Sequence, residues 1–219
     1  GQNILILDSN ITTSHLGLHL GLYEDLSVTL KDVLTKKVPV TYAIYVHPTT
    51  GVRIIPAPLS GDSIKFSKLD RVINQLRNDY EMIILDCAPG LGKEVITAAN
   101  SVDEALVVTT PDLPAVTDAL KTIGILQRID KEILGIVVNR VKNEKYELTM
   151  NEIESTCNCD IISVIPEDNK IPGSISKGVP IVLAYPNSPA SIELKKLAGY
   201  IIGEEYRPTN FFYAIKKFL

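Results

Sequence analysis

Two aspartates close short apolar runs: Asp8 follows "ILIL" and Asp86 follows "MIIL". Runs of that length read as strands, so both carboxylates are expected at strand ends on one edge of a common sheet. Paired oxygen ligands beside a Gly/Pro loop suit a Mg2+-nucleotide complex, because the hard ion keeps waters that a carboxylate can hold. Aspartate also ends strands as a turn former, and either residue alone is compatible with that plainer role. The loop after Asp86, "CAPGLGKE", carries Gly90 and Gly92, which let backbone N–H groups approach an anion. Asn139 and Arg140 end another apolar run. The Asn amide, donor and acceptor together, can read a purine edge or simply close a turn.

Other candidates point to structure rather than chemistry. His15 and His19 stand four apart, a metal-ligand spacing, but no third ligand accompanies them, so helix-surface or loop histidines are expected. Cys157 and Cys159 form a lone C-x-C. Without a partner pair, two small residues in a turn ahead of a strand is the reading, rather than an iron–sulfur site.

The elements that must position these residues are legible as alternation. Five further apolar runs resemble the first, at 51–58, 81–90, 104–112, 133–140 and 160–168, each ending in Pro, Gly, Asp or Asn. Near-continuous apolar runs suit parallel strands covered on both faces. Between them, residues 65–79 place Leu69, Val72, Ile73 and Leu76 at helical spacing, and 115–130 repeats the pattern. Residues 187–203 read as a last helix of the body, with Ser188 as N-cap and Pro189 in the first turn. Strand and helix alternation predicts an α/β fold: a doubly wound, mainly parallel sheet with helices on both faces and ligands beyond the carboxyl ends of its strands.

The chain has 219 residues, 45% hydrophobic and 22% charged, which fits one domain spanning 1–203. A net charge of −4 gives the surface as a whole no attraction for nucleic acid, so DNA is not the expected partner. Three cysteines without a signal-peptide pattern predict a reducing, cytoplasmic setting. No apolar run is long enough to span a bilayer, so membrane contact would be peripheral.

In order, "ILILDSNITTSHLGLHLGL", "VTLKDVLTKKVPVTYAIY", "GVRIIPAPL", "MIILDCAPGL", "ALVVTTPDLPAVTDALK", "GIVVNR" and "VIPEDNKIPGSISKGVPIV" resemble the MinD/ParA group of deviant Walker ATPases, and most of all archaeal MinD-like proteins. The resemblance runs from residue 1 to about 200. It implies a P-loop NTPase fold of the SIMIBI type that binds ATP or ADP with Mg2+. Asp8 to Leu16 would be switch I, Asp86 to Gly92 the Walker B aspartate and switch II, and Asn139 with Arg140 the adenine-side contacts. Pro166, Glu167 and Asp168 would form the turn over the base. By the same resemblance Asp86 and Asp8 would hold the Mg2+ through water.

Two departures qualify the chemistry. No stretch reads G-K-G-G-x-G-K-[ST] or G-x-x-x-x-G-K-[ST], the phosphate-cradling loop of the family. A strand, loop and helix of roughly 30 residues are therefore expected ahead of Gly1, and without them ATP hydrolysis is not credible. Where relatives read D-x-D, this chain reads Asp8-Ser9-Asn10. Asn10 can hydrogen-bond water or a γ-phosphate but carries no charge with which to act as a base, so hydrolysis is expected to be slow or dependent on an activating protein.

After a short linker, 204–210, the chain ends in "FFYAIKKFL". On a helix Phe211, Phe212, Ile215, Phe218 and Leu219 fall on one side, with Lys216 and Lys217 outside it. This resembles the membrane-targeting helix of MinD proteins and implies weak binding of one tail to an anionic membrane surface, strengthened in a homodimer. The combined expectation is an ATP-dependent dimerising switch, peripheral on the inner face of the cell membrane, that positions division or other polar structures. A ParA-like DNA-binding ATPase and a non-hydrolysing scaffold are the alternatives.

Overall fold

The computed structural model describes residues 2–10, 14–22, 26–35, 37–58 and 68–207. The expected C-terminal helix, with Phe211, Phe212, Ile215, Lys216, Lys217, Phe218 and Leu219, lies outside them.

Six expected strands are present: β1 (Ile4–Asp8), β3 (Arg53–Ile55), β4 (Met82–Asp86), β5 (Glu104–Thr109), β6 (Glu132–Val141) and β7 (Ile161–Pro166). A two-residue strand, β2 (Tyr45–Val46), was not legible because it is too short to show alternation. The strands form a four-stranded sheet, β2-β3-β1-β4, and a three-stranded sheet, β5-β6-β7. All pairings are parallel except β2 with β3, which adds an antiparallel edge.

The helices are α1 (Leu16–His19), α2 (Leu30–Leu34), α3 (Leu69–Leu76), α4 (Lys93–Asn100), α5 (Leu113–Arg128), α6 (Met150–Cys157), α7 (Lys170–Ile175), α8 (Ile181–Ala184) and α9 (Pro189–Ile201). In α3 the four residues expected to face inward, Leu69, Val72, Ile73 and Leu76, are all buried. α5 begins at Leu113, earlier than its apolar periodicity suggests, because the Asp112 carboxylate caps it by accepting from Ala115 N at 3.0 Å. α9 starts as read from the sequence, with Ser188 Oγ accepting from Ser191 N at 3.3 Å and Pro189 next. α6 was missed, although Thr149 and Glu152 spell a capping box that the structure forms.

Three apolar clusters hold these layers. Leu5, Leu7 and Ile55 pack on α2 and α3 through Leu30, Val33, Leu69 and Val72. Val107, Ile136 and Val138 pack on α5 and α6, while Val137 and Ile165 face Ile181 and Ala190 of α8 and α9. β6 and β7 therefore have helices on both sides, as their apolar runs require.

The expectation of two covered faces does not hold next to the break between the sheets. Among the described residues no strand lies between β4 and β5. Ile84 on β4 is 43% exposed and Val108 on β5 is 60% exposed. Ile4 and Ile6, which share a sheet face with Ile84, are half-buried, whereas Leu5 and Leu7 on the opposite face are fully buried. Helix α4 spans the break, giving Ala98 to the first core and Ala99 to the second. Arg77 at the end of α3 donates twice to the Asp103 carboxylate ahead of β5, at 2.9 and 3.0 Å.

Candidate functional site

The parallel register of β1 and β4 pairs Asp8 with Asp86, so the two carboxylates stand side by side on one face at the carboxyl edge of the sheet. Their surroundings differ. Asp8 is fully buried: its carboxylate accepts from Asn10 N at 2.9 Å and Ser14 Oγ at 2.6 Å, and also from the backbone at Leu16 and Ala57. Burial raises its pKa above the ordinary value, with the four hydrogen bonds opposing. Asp8 thus anchors the segment leading into α1. Asp86 is open to solvent, and its pKa is also raised, first by partial desolvation and then by the negative charge of Asp8, with His19 opposing. A cation placed on Asp86 would relieve both effects, which fits the chemistry of a divalent ion.

Ser9 locks the two strand ends together. Its N–H and its hydroxyl both donate to the Asp86 carbonyl, each at 2.9 Å. Neither Ser9 nor Ser14 was singled out from the sequence. A serine two positions from a motif residue carries no pattern of its own, and only the fold shows it bonding to the carboxylate or carbonyl.

After Asp86 the loop turns at Gly90, whose φ of +96° is open to glycine and strained for other residues. No atom lies within 4 Å of where a Cβ would stand, so the backbone angle and not space selects glycine. Gly92 is the N-cap of α4. His15 is the N-cap of α1 and His19 its last residue, with their rings stacked, centroids 6.1 Å apart. Among the described residues no group of three His, Cys, Asp or Glu side chains is placed to hold a metal. Cys157 ends α6 and is buried, its thiol toward the Val116 carbonyl, and Asn158 in the left-handed region separates it from Cys159.

Asn139 and Arg140 sit at a register shift near the end of β6, with Arg140 at φ +61°. Asn139 Oδ1 accepts from Arg140 N at 2.9 Å, and Arg140 Nε donates to Glu167 Oε2 at 3.0 Å. The structure thus brings the two expected base-side segments, 139–140 and 166–168, into direct contact. Asp168 is different from its neighbours: it is buried, and its carboxylate accepts from Lys170 N at 3.0 Å and Ala190 N at 3.4 Å. Burial acts to raise its pKa, but these bonds, Ser188 and the Lys170 charge outweigh it, leaving the pKa lowered. It ties the β7–α7 turn to the start of α9. Pro166 also lines a groove of about 410 Å3 with Val141, Asn187, Pro189, Ile192 and Glu193.

One further contact links α1 to the turn after α7. A Cβ on Gly178, at φ +60°, would lie 2.6 Å from the Gly21 Cα, so two glycine backbones meet where no side chain fits. His47 supports the same turn, with Nε2 2.9 Å from the Leu20 carbonyl and Nδ1 2.8 Å from Thr50 Oγ1.

Comparison with known proteins gives this geometry a family. The ParA family model, described as an iron-transfer P-loop NTPase, matches residues 63–202. An uncharacterised ATP-binding protein of Methanocaldococcus jannaschii is 38% identical over 94% of this chain and 78% of its own length. The septum site-determining protein MinD of Pyrococcus horikoshii, solved with Mg-ADP, superposes with a TM-score of 0.84 at 30% identity, covering 92% of this chain and 84% of that one. MinD in the MinC:MinD complex of Aquifex aeolicus gives 0.85 at 28%, covering 96% and 87%. The ordered motifs, the Asp8 and Asp86 strand ends and these similarities agree: the chain belongs to the MinD/ParA family of deviant Walker P-loop NTPases.

Proposed function

We propose that the protein is an ATP-dependent switch that dimerises on Mg-ATP and attaches reversibly to membrane, with cell division or another polar structure as its cargo. The observation that carries the reading is the in-register pair Asp8 and Asp86 at the carboxyl edge, one carboxylate sealed by internal hydrogen bonds and the other open. In this reading Asp86 takes the Mg2+ side and Asp8 orders switch I, touching the metal at most through water. Asn10 positions the attacking water without serving as a base. Gly90 brings backbone N–H groups to the γ-phosphate side. Asn139 reads the base edge, and Arg140, Pro166 and Glu167 close over it, with Asp168 bracing that turn.

The gap between β4 and β5 supports a further element. A parallel strand there would pair the open edges of both strands, and its following helix would cover Ile4, Ile6 and Ile84. We assign to this position the strand that carries the phosphate-binding loop. The Mg-ADP complex of the Pyrococcus relative and the MinC complex of the Aquifex one support the nucleotide and a partner protein as ligands of the same fold.

Liposome sedimentation of the full-length protein, with ATP or ADP and anionic vesicles, tests the membrane step. Wild type should pellet with ATP, and a chain ending at Thr209 should not. Equal pelleting in all four conditions would remove it. A non-hydrolysing scaffold is the second reading, favoured by Asn10 in place of an acidic residue. Iron transfer is not adopted, because Cys157 is packed into the core against α5.

A further inference from the structure

A second concave site lies away from the strand-end carboxylates, between α2 and α3. It is a groove of about 350 Å3 whose floor is aliphatic, with Val38, Val40 and Val72, and whose rim carries Lys37, Lys68 and Arg71. Val72 is buried and the three cations are exposed. Among the described residues none of the three makes an ion pair. The nearest acidic influence is Asp32, which acts on Lys37 by charge while its carboxylate accepts from Thr29 N and Oγ1, both at 3.0 Å. Asp70 shares a helical turn with Arg71 but does not line the groove.

We infer that this groove binds an acidic peptide segment of a partner protein, with one aliphatic side chain seated on the valine floor and flanking carboxylates on Lys37, Lys68 and Arg71. The charge argument is local: three cations line one groove in a chain of net charge −4, and among the described residues no carboxylate forms an ion pair with any of them. The shape argument excludes flatter partners. A concave aliphatic floor takes an inserted side chain, whereas a bilayer surface meets convex apolar residues and single-stranded nucleic acid needs aromatic platforms. Tyr42 adds an anchor. It stands in the same short 3-10 turn as Val40, is 69% exposed, and is of a residue type that dominates interface energetics. Helix α3 runs from the carboxyl end of β3 toward the amino end of β4, so Lys68 and Arg71 in its first turn lie toward the edge that holds Asp8 and Asp86. A bound segment would therefore sit outside the nucleotide site, toward the same carboxyl edge but on the opposite face of the sheet.

Fluorescence anisotropy of the full-length protein with a labelled (Glu-Glu-Leu)4 peptide tests this, alongside (Lys-Lys-Leu)4 and a polyglutamate of equal length. The acidic leucine peptide should bind in a salt-sensitive way. The triple variant Lys37→Glu, Lys68→Glu, Arg71→Glu should weaken it by at least about tenfold, and Tyr42→Ala by about threefold. Val40→Arg, which fills the floor while adding positive charge, should weaken binding too. Loss with Val40→Arg separates a groove from a merely basic surface. Polyglutamate binding as tightly as (Glu-Glu-Leu)4, unchanged binding by the triple variant, or no binding would each overturn the inference. So would pelleting with anionic vesicles that the triple variant loses while peptide binding is absent, which would assign the patch to lipid. Mg-ATP binding, measured in parallel, should be the same in wild type and the triple variant, so failure here is distinguishable from failure of the nucleotide reading.

Discussion

At the scale of single residues, two aspartates that look alike in sequence have been given different work. Asp8 is satisfied from within the chain and Asp86 is left facing outward with a raised pKa. A carboxyl raised in the folded state favours folding at pH values below its unfolded pKa, and that contribution is lost as pH rises through the raised folded value. The ionised pair therefore strains the ligand-free protein near neutral pH. Asp86→Asn should raise the melting temperature of the ligand-free protein by about 1 to 3 °C after allowance for solvent screening, and the difference should vanish in acid, where both forms are neutral. Mg2+ should stabilise wild type and not the variant. Thermal melts across pH check both statements. Asn10→Asp introduces the charge that the family resemblance implies at this position, and single-turnover hydrolysis by the full-length protein should rise at least about tenfold. No change would favour the scaffold reading. The pairing of Asp8 with Asp86 was legible because each ends an apolar run, but the inequality between them was not, since it depends on Ser14 and Ala57, remote in any local pattern.

At the scale of elements, the structure explains why some boundaries were readable and others were not. α3 announced itself by periodicity and buries the four residues expected, and α9 announced itself by the Ser188-Pro189 start that the structure forms. α1, α2, α7 and α8 are four to six residues long, too short for a helical period to show, and tertiary packing holds them. The Gly21–Gly178 contact belongs to this class: each glycine looks like an ordinary turn residue, and only the fold brings them together. Gly178→Ala combines a left-handed backbone with a 2.6 Å clash and should destabilise the protein by about 2 to 4 kcal/mol in urea unfolding. Asp168→Ala removes the acceptor shared by Lys170 N and Ala190 N, and should cost about 1 to 3 kcal/mol. Because the Asp168 pKa is lowered, its contribution is present above the ordinary carboxylate value and is lost as pH falls through the lowered one. The Ala variant and wild type should accordingly converge in acid.

At the scale of the whole molecule, the α/β class followed from alternation, whereas the division into two sheets did not. Apolar runs are equally consistent with six strands in one sheet or with two groups awaiting a strand between them, because hydrophobicity records burial and not neighbours. The exposed Ile84 and Val108 mark where that strand would go, and α4 and the Arg77–Asp103 pair hold the halves beside it. On this account nucleotide, dimer and membrane are stages of one cycle that begins when Mg-ATP engages the Asp86 edge. Sedimentation velocity of the full-length protein with Mg-ATP, Mg-ADP, or ATP with EDTA tests that claim most directly. The account predicts a dimer with Mg-ATP alone, and a monomer for Asp86→Asn under every condition. A single unchanged species across all nucleotides in wild type would contradict it.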